Sequence, residues 1–537
     1  MSRSEHPTRR DFLGSALVAA PLLAGALAAP AAAGPGRRDD PLAVRLEQAV
    51  RLRRRAAERL ERRPLPRHLA NGDEEELPGR IACYSKALPH DPLGVVEPRA
   101  YGFLLAALRS GKPNDFEEIP LGGQVRLANP QAALGFDLVG PDAASLTLPP
   151  APRFAGEEQA AEMVELYWQA LLRDVRFEDY PGHPLAEQAA AELSALPAYR
   201  GPRQDGRVTP RLLFRGSTEG DREGPYLSQF LLKDIPLPPM RTRQKIRTCL
   251  PEDDYLASHD DWLAVQNGAL APVNRFDPEA RFQRNGRDLA EYVHRDFSYQ
   301  GPFAAGLMLL KWGVLPDGGN PYKHSRTQSG FSTFGGPYVL YLLALATQAA
   351  LTVCWYQKWL VHRRLRPEEY GGRVENHLLD RASYPLPPAL LDSAALARAR
   401  SKWGTALLTG TYPEGCPAHP SYPAGHAVIA GACATVLKAV FDESSVVPEP
   451  VVASADGLSL TPWTGPPLTV GGELDKLAAN LSLGRNFAGI HWRTDMTAGL
   501  DLGEAVAMEV LAQAKLTGNE TFTGFSFRRF NGQRVTA

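Results

Sequence analysis

Cysteine is scarce in this chain. Five occur in 537 residues, at Cys83, Cys249, Cys354, Cys416 and Cys433, and no two stand as CxxC. Zinc ribbons and thioredoxin-like redox sites therefore find no support. An odd number leaves at least one cysteine without an intrachain partner, and spacing pairs none of the rest. A charge excess is missing as well. The 59 Lys and Arg balance 60 Asp and Glu, so there is no global basic field for nucleic acid. Beyond the N-terminus, the longest apolar run, 339–355, stops at Gln357-Lys358, short of the ~20 uninterrupted apolar residues a membrane span needs. No stable membrane association is expected. Alternation with period two is rare, with 136–148 the one hairpin candidate, and no internal repeat stands out.

What the sequence has in quantity is helical periodicity and punctuation. Its hydrophobic content of 44% and charge of 22% are those of an ordinary globular chain. The length allows a large core in about one to four domains. The 47 prolines and 48 glycines predict long irregular connections.

Residues 1–33 read as a targeting segment. Thr8-Arg9-Arg10-Asp11-Phe12-Leu13 is a twin-arginine pattern, an Ala/Leu-rich run fills 16–29, and Ala31-Ala32-Ala33 offers a cleavage site before Gly34. A Tat-type signal is expected, giving a soluble periplasmic or extracellular protein. A retained basic-then-apolar anchor is the other reading. Residues 34–80 form an N-terminal arm. Within it, 40–62 is Arg/Glu-rich with Leu42, Val44, Leu46, Val50 and Leu52, an amphipathic helix suited to cover a surface or stand free. Helices are also predicted at 100–109, 159–173, 225–233, 253–268 and 286–312. In the second, Ala160, Met163, Val164, Tyr167, Trp168, Leu171 and Leu172 recur at core spacing. Residues 200–223 read as a surface loop. The expected architecture is mainly α, with long loops.

The chemistry-bearing residues fall in three segments after residue 335. A helical pattern at 339–365 is ended by Pro367, which pushes Arg366 out of the α region. It places Lys358, His362 and Arg366 at i, i+4 and i+8, on one face. Arg363 and Arg364 read as ordinary basic residues at a helix end. In the second segment, His419-Pro-Ser-Tyr-Pro-Ala-Gly-His426, Pro423 and Gly425 turn the chain into a buried helix. Gly425 and His426 then stand at its N-terminus, where free amides and the dipole favour an anion. Gly425 admits close backbone approach, and His426 exchanges a proton near neutral pH. The third segment, Leu483 through Asp495, carries Arg485, His491 and Asp495. Asp495 lies one turn after His491 and can hold one imidazole nitrogen, freeing the other for an electrophile or metal centre. Gly484 and Gly489 allow a bend that brings Arg485, a planar fork for an oxyanion, to the same place. Each segment alone fits a bland reading as helix end, helix entry or structural His–Asp pair.

The ordered set Lys-x7-Arg-Pro, Pro-x-Gly-His and Gly-Arg-x5-His-x3-Asp resembles the superfamily of type-2 phosphatidic acid phosphatases and vanadium haloperoxidases. Asn71-Gly-Asp-Glu, Ser85-Lys-Ala-Leu-Pro-His-Asp91, Tyr292-Val-His294 and His419-Pro-Ser-Tyr422 narrow the likeness to the bromoperoxidases of red algae and their bacterial relatives, over nearly the whole mature chain. The resemblance implies two helical bundles and homo-oligomers. Residues 81–335 would be scaffold and subunit interface, and 336–537 the vanadate-binding region, in one integrated domain.

It further implies that His491 binds vanadium and that Lys358, Arg366, Arg485 and the Gly425 amide balance the vanadate oxygens. His426 would be the acid–base residue, Asp495 would orient His491, and Lys358 would make bound peroxide more electrophilic. The expected reaction oxidises halide with hydrogen peroxide to hypohalous acid, which halogenates small organic acceptors. His419, aromatic in fungal chloroperoxidases, favours bromide and iodide over chloride. Ala424 departs from the family's Pro-Ser-Gly-His, removing a hydroxyl donor. An acid phosphatase acting through a phosphohistidine at His491, a non-catalytic relative and an iodide-restricted enzyme are the alternatives. The residues identify neither the organic substrate nor a structural calcium.

Overall fold

The computed structural model of the protein describes residues 41–537; the predicted export signal lies outside them. The Arg-rich helix forms as α1 (Pro41–Glu61). The remainder, from Leu65 onward, is a single compact unit, so residues 65–80 belong to it. Its longer helices are α2 (Pro98–Ser110), α3 (Glu157–Leu172), α4 (Pro184–Ala195), α5 (His259–Gln266), α6 (Gly286–Arg295), α7 (Gln300–Trp312) and α8 (Gly336–Tyr356). There follow α9 (Pro367–Leu378), α10 (Ala394–Trp403), α11 (Gly425–Val440), α12 (Val470–Phe487) and α13 (Arg493–Thr517). The architecture is mainly α, as expected.

The centre is built from helices that are buried on nearly every face. Nearly every residue of α3 is buried, including Gln159, Glu162 and Glu165. Its first turn carries Glu157 and Glu158, which complement the dipole there. The pair α11 and α13 approaches closely because small residues line the contact. A Cβ on Gly499 would fall 2.7 Å from that of Ala427, one on Gly431 would fall 2.5 Å from the Leu500 carbonyl oxygen, and one on Gly503 would run into that of Val428. This crossing sets the N-terminus of α11 beside that of α13: the Ala424 N–H donates to the Asp495 carbonyl oxygen at 3.0 Å.

Several expectations are corrected. The 339–365 helix is not continuous. α8 passes into a π-helical turn, Gln357–His362, and Arg363 takes a left-handed conformation with φ 37°. Arg366 is the N-cap of α9, with Pro367 at the first helical position. π turns are inserts that re-aim side chains, and periodicity cannot announce one. Residues 225–233 yield only the 3₁₀ turn Gln229–Leu231, capped by Ser228. Residues 136–148 contain no strand, only the 3₁₀ turn Ala143–Ser145 capped by Asp142; Gly140 and Pro141 interrupt the run. The 200–223 segment is not merely surface, since Leu212, Leu213, Phe214, Arg215 and Asp221 are buried. The helix predicted at 253–268 shortens to α5, entered through a Ser258 cap, and the 286–312 pattern divides into α6 and α7. Strands occur as short antiparallel pairs, such as Ile246–Cys249 with Phe276–Arg281, too brief to read by alternation.

Candidate active site

The site begins where α12 gives way to α13. Gly489, at φ 81°, turns the chain, and His491 follows two residues on. Asp495 caps α13 by accepting from the Trp492 N–H at 3.1 Å. The same oxygen, Oδ2, accepts from His491 Nδ1 at 2.8 Å. Ser421 Oγ also donates to it. Burial, then the charges of Arg366 and Lys358, hold the His491 imidazolium far below its ordinary range. The ring is thus neutral, its Nδ1–H fixed on Asp495 and its Nε2 lone pair turned into the pocket toward Arg366. Arg366 Nη1 donates to that Nε2 at 2.9 Å.

The π turn after α8 swings Lys358 into this space. Its Nζ is fully buried and donates to the carbonyl oxygens of Pro420 and Ser421 at 2.7 and 2.8 Å. Burial pushes its pKa down to about 7. Arg366, equally buried, donates from Nη1 to the Ile490 carbonyl at 2.7 Å and from Nη2 to His419 Nδ1 at 3.0 Å. His362, predicted on the same face, turns away: its ring meets Tyr422 edge-on at 4.7 Å. Arg485, in the last turn of α12, donates to the Val293 carbonyl at 2.7 Å and lies over the Tyr412 ring. Its Nε is buried without a partner.

The opposite wall is the entry to α11. Ala424 is the N-cap and supplies no side-chain bond. A Cβ at Gly425 would meet only Trp355, at 3.8 Å, so open space lies against the first residue of the helix. His419 stacks obliquely against Trp355 with ring centroids 5.0 Å apart. Burial, then Lys358 and Arg366, hold its pKa well down. His426 is partly exposed, and its Nε2 donates to Asp296 Oδ1 at 2.9 Å.

Three participants escaped the sequence reading. Asp296 follows α6, far from the motifs in sequence. Ser421 lies within a quoted motif that gave its hydroxyl no task. Arg364 is the clearest correction, since it is no solvated helix-end residue. It is buried, donates to Asp495 Oδ1 at 2.9 Å and to Glu162 Oε2 at 2.8 Å, and lies over the Trp492 ring. Arg363 points the other way, to Glu74. Nothing in their order tells them apart; the left-handed turn at Arg363 does.

Among the described residues, none of the side-chain cations of Lys358, Arg366 and Arg485 is paired with a carboxylate. Asp495 and Asp296 bond to the histidines. Buried cations without counter-ions are costly, and two signs of that cost are visible: the depressed Lys358 and the orphaned Arg485 Nε. A helix N-terminus adds its own preference for an anion. These donors, with the His491 lone pair, fit a tetrahedral oxyanion that accepts one nitrogen ligand.

Fold and site together define a helical protein built around a buried oxyanion pocket. Residues 338–519 match the family described as the VCPO second helical-bundle domain. The vanadium-dependent bromoperoxidase of Ascophyllum nodosum is 35% identical over 491 residues, 87% of each chain. That of Corallina officinalis is 32% identical over 87% of this chain and 92% of its own. The solved homohexameric second vanadate-dependent bromoperoxidase from Ascophyllum nodosum superposes with a TM-score of 0.88 at 30% identity, covering 98% of this chain and 95% of that one. The chain belongs to the vanadium-dependent haloperoxidase family, among its bromoperoxidases.

Proposed function

We propose that the pocket holds vanadate and that the protein oxidises bromide or iodide with hydrogen peroxide. Peroxide, halide and one proton give hypohalous acid and water; the halide loses two electrons, and the two peroxide oxygens gain one each. The hypohalous acid then halogenates small organic acceptors. The observation that supports this reading is the cluster of buried cations without carboxylate partners around a neutral histidine whose Nε2 lone pair faces Arg366.

His491 would be the nitrogen ligand, held in its tautomer by Asp495. Lys358, Arg366, Arg485 and the Gly425 N–H would hold the oxygens. Bound vanadate supplies a Lewis-acid centre that polarises peroxide. His426 moves the proton the reaction consumes: its partial exposure connects it to solvent, and Asp296 keeps the ring oriented. Lys358 would keep its proton beside the anion and supply a hydrogen bond that makes the oxidant held there more electrophilic. His419 and Trp355 pack against each other beside Gly425. The homo-oligomer and the Tat-type export belong to the same proposal, the first supported by the homohexameric relative, the second by Arg9-Arg10.

Monochlorodimedone bromination, run with and without added vanadate, tests the reading. Iodide oxidation and p-nitrophenyl phosphate hydrolysis are assayed beside it. Vanadate-dependent bromination is expected. Phosphate-ester hydrolysis with no halide oxidation at any pH would replace this reading with a phosphatase.

A further inference from the structure

The last turn of α6 serves two residues of the pocket at once. The Val293 carbonyl accepts from Arg485 Nη1 at 2.7 Å, and Asp296, the C-cap, holds His426 Nε2 at 2.9 Å. Helix α12 can bring Arg485 this near because Gly484 lies flat against α6: a Cβ there would fall 2.9 Å from Val293 Cγ2. Between Val293 and Asp296 stands His294, which has no part in the reaction proposed above. Its ring is bracketed by carboxylates, with Nε2 2.5 Å from Glu414 Oε1 and Nδ1 3.2 Å from Glu291 Oε2. Burial works against a charge there, but the two carboxylates outweigh it and raise the pKa. Only the protonated ring donates to both at once. Glu291 is held in turn by Arg295 Nε and Cys249 Sγ, each at 3.2 Å, and the Glu414 backbone carbonyl by Lys86 Nζ at 2.6 Å. The imidazole lies flat on Tyr412, with centroids 3.8 Å apart and planes 13° from parallel. The Arg485 guanidinium lies over the same Tyr412 ring, 5.6 Å from its centroid. Tyr412 Oη returns to α6 by donating to the Ala290 carbonyl at 2.5 Å.

We propose that His294, together with Glu414, is a positioning residue of the oxyanion pocket: it pins the last turn of α6 to the 412–414 segment and so sets where Arg485 points. The inference rests on the vanadate reading and adds to it a residue that touches no bound oxygen. Arg485 has no carboxylate to orient it, and its Nε is buried without a partner. Its direction therefore depends on the Val293 carbonyl and on the face of Tyr412, which attracts a guanidinium through the ring quadrupole. His294 is joined to both supports, to the first through the backbone of α6 and to the second by stacking. Without its two N–H groups, Glu414 is free to turn to solvent, and nothing ties the Tyr412 segment to the end of α6 except the Tyr412 hydroxyl. A small displacement of a fork that must meet an oxyanion squarely loses much of its hold.

The test measures vanadate affinity by calorimetry on the full mature chain, in the wild type, His294→Phe, Arg485→Met and the double variant. Phenylalanine keeps the stack on Tyr412 and removes both N–H groups. His294→Phe is expected to weaken vanadate binding by on the order of tenfold, with helical circular dichroism unchanged. In the Arg485→Met background the same change should alter affinity by less than about twofold, because residues that act through one another are not additive. A merely structural role would weaken binding equally in both backgrounds; that result, or a folded single variant with wild-type affinity, overturns the proposal. Should His294→Phe fail to fold, Glu414→Gln decides, since the Glu414 side chain is 45% exposed and its amide removes one of the two charges that hold His294 protonated. It should weaken vanadate binding in the wild-type background and not in Arg485→Met; equal effects in the two, or none in either, overturn the proposal. A wild type that binds no vanadate ends the reading of the pocket and this inference with it. A wild type that binds vanadate, with variants that show no coupling to Arg485, ends the inference alone.

Discussion

Ala424 is the residue where the site is least complete. It caps α11 without a side-chain bond, is wholly buried, and stands where the family's motif has serine. A serine hydroxyl could accept from the α11 backbone, worth ~1 kcal/mol, and donate to a bound oxygen. A hydrogen bond to a charged group contributes about 1.5–3 kcal/mol. Ala424→Ser should therefore tighten vanadate binding by about tenfold or more, measured by titrating the vanadate-free protein calorimetrically. An unchanged or weaker affinity would count against the oxyanion geometry.

Arg364 makes the second residue-scale prediction. Its removal leaves Asp495 and Glu162 as buried carboxylates without their guanidinium. Arg364→Leu should cost about 3–5 kcal/mol of stability and loosen His491, seen as a lower Tm and weaker vanadate binding. Arg364→Lys should recover part of both; equal loss in the two variants would mean that the guanidinium's charge is not what matters. Lys358 adds a pH dependence. Its pKa of about 7 without an anion lies below the unfolded value of 10.5. Between these limits the unfolded chain binds the proton and the folded chain does not, so this group's contribution to stability rises with pH. Oxyanion binding needs the charged form. Vanadate affinity should fall as pH rises through about 7, with proton uptake on binding. Lys358→Arg, permanently charged, should flatten that slope relative to the wild type at each pH.

At the scale of elements, the sequence is legible where one helix does one thing. The entry to α11 is readable from Pro423, Gly425 and the apolar repeat after His426, and the start of α13 from the His491–Asp495 spacing. Lys358 and Arg366 are legible as a pair, but for the wrong reason. They meet because a π turn and a left-handed Arg363 redirect the chain, not because a straight helix aligns them. Asp296 was not legible because it reaches His426 only through the packing of α6. The glycines of the α11–α13 crossing carry no chemical signal, yet they place the two helix starts together. Gly503→Ala should push the helices apart at Val428. Overpacking of this kind costs about 1–3 kcal/mol. Differential scanning calorimetry should show a lower Tm, and vanadate affinity should fall with it; unchanged values would show that the crossing tolerates the methyl.

At the scale of the whole molecule, every cysteine lies in the interior. The five cysteines settle a question spacing left open: all are free, and none is paired in a disulfide. Burial also pushes their thiols up, Cys83 and Cys433 to about 12 and Cys354 to about 11, so none offers a ready thiolate. Ellman's reagent should find no reactive thiol in the folded protein and five after guanidinium unfolding; early reaction would show that a core helix opens.

That arrangement reaches beyond folding. A catalyst releasing an electrophilic halogen is the first molecule its product meets. Cysteine sulfur is among the most readily oxidised groups a protein can offer, and here every cysteine is buried. The tight interior that fixes the pocket is therefore also what sets how many turnovers one molecule survives.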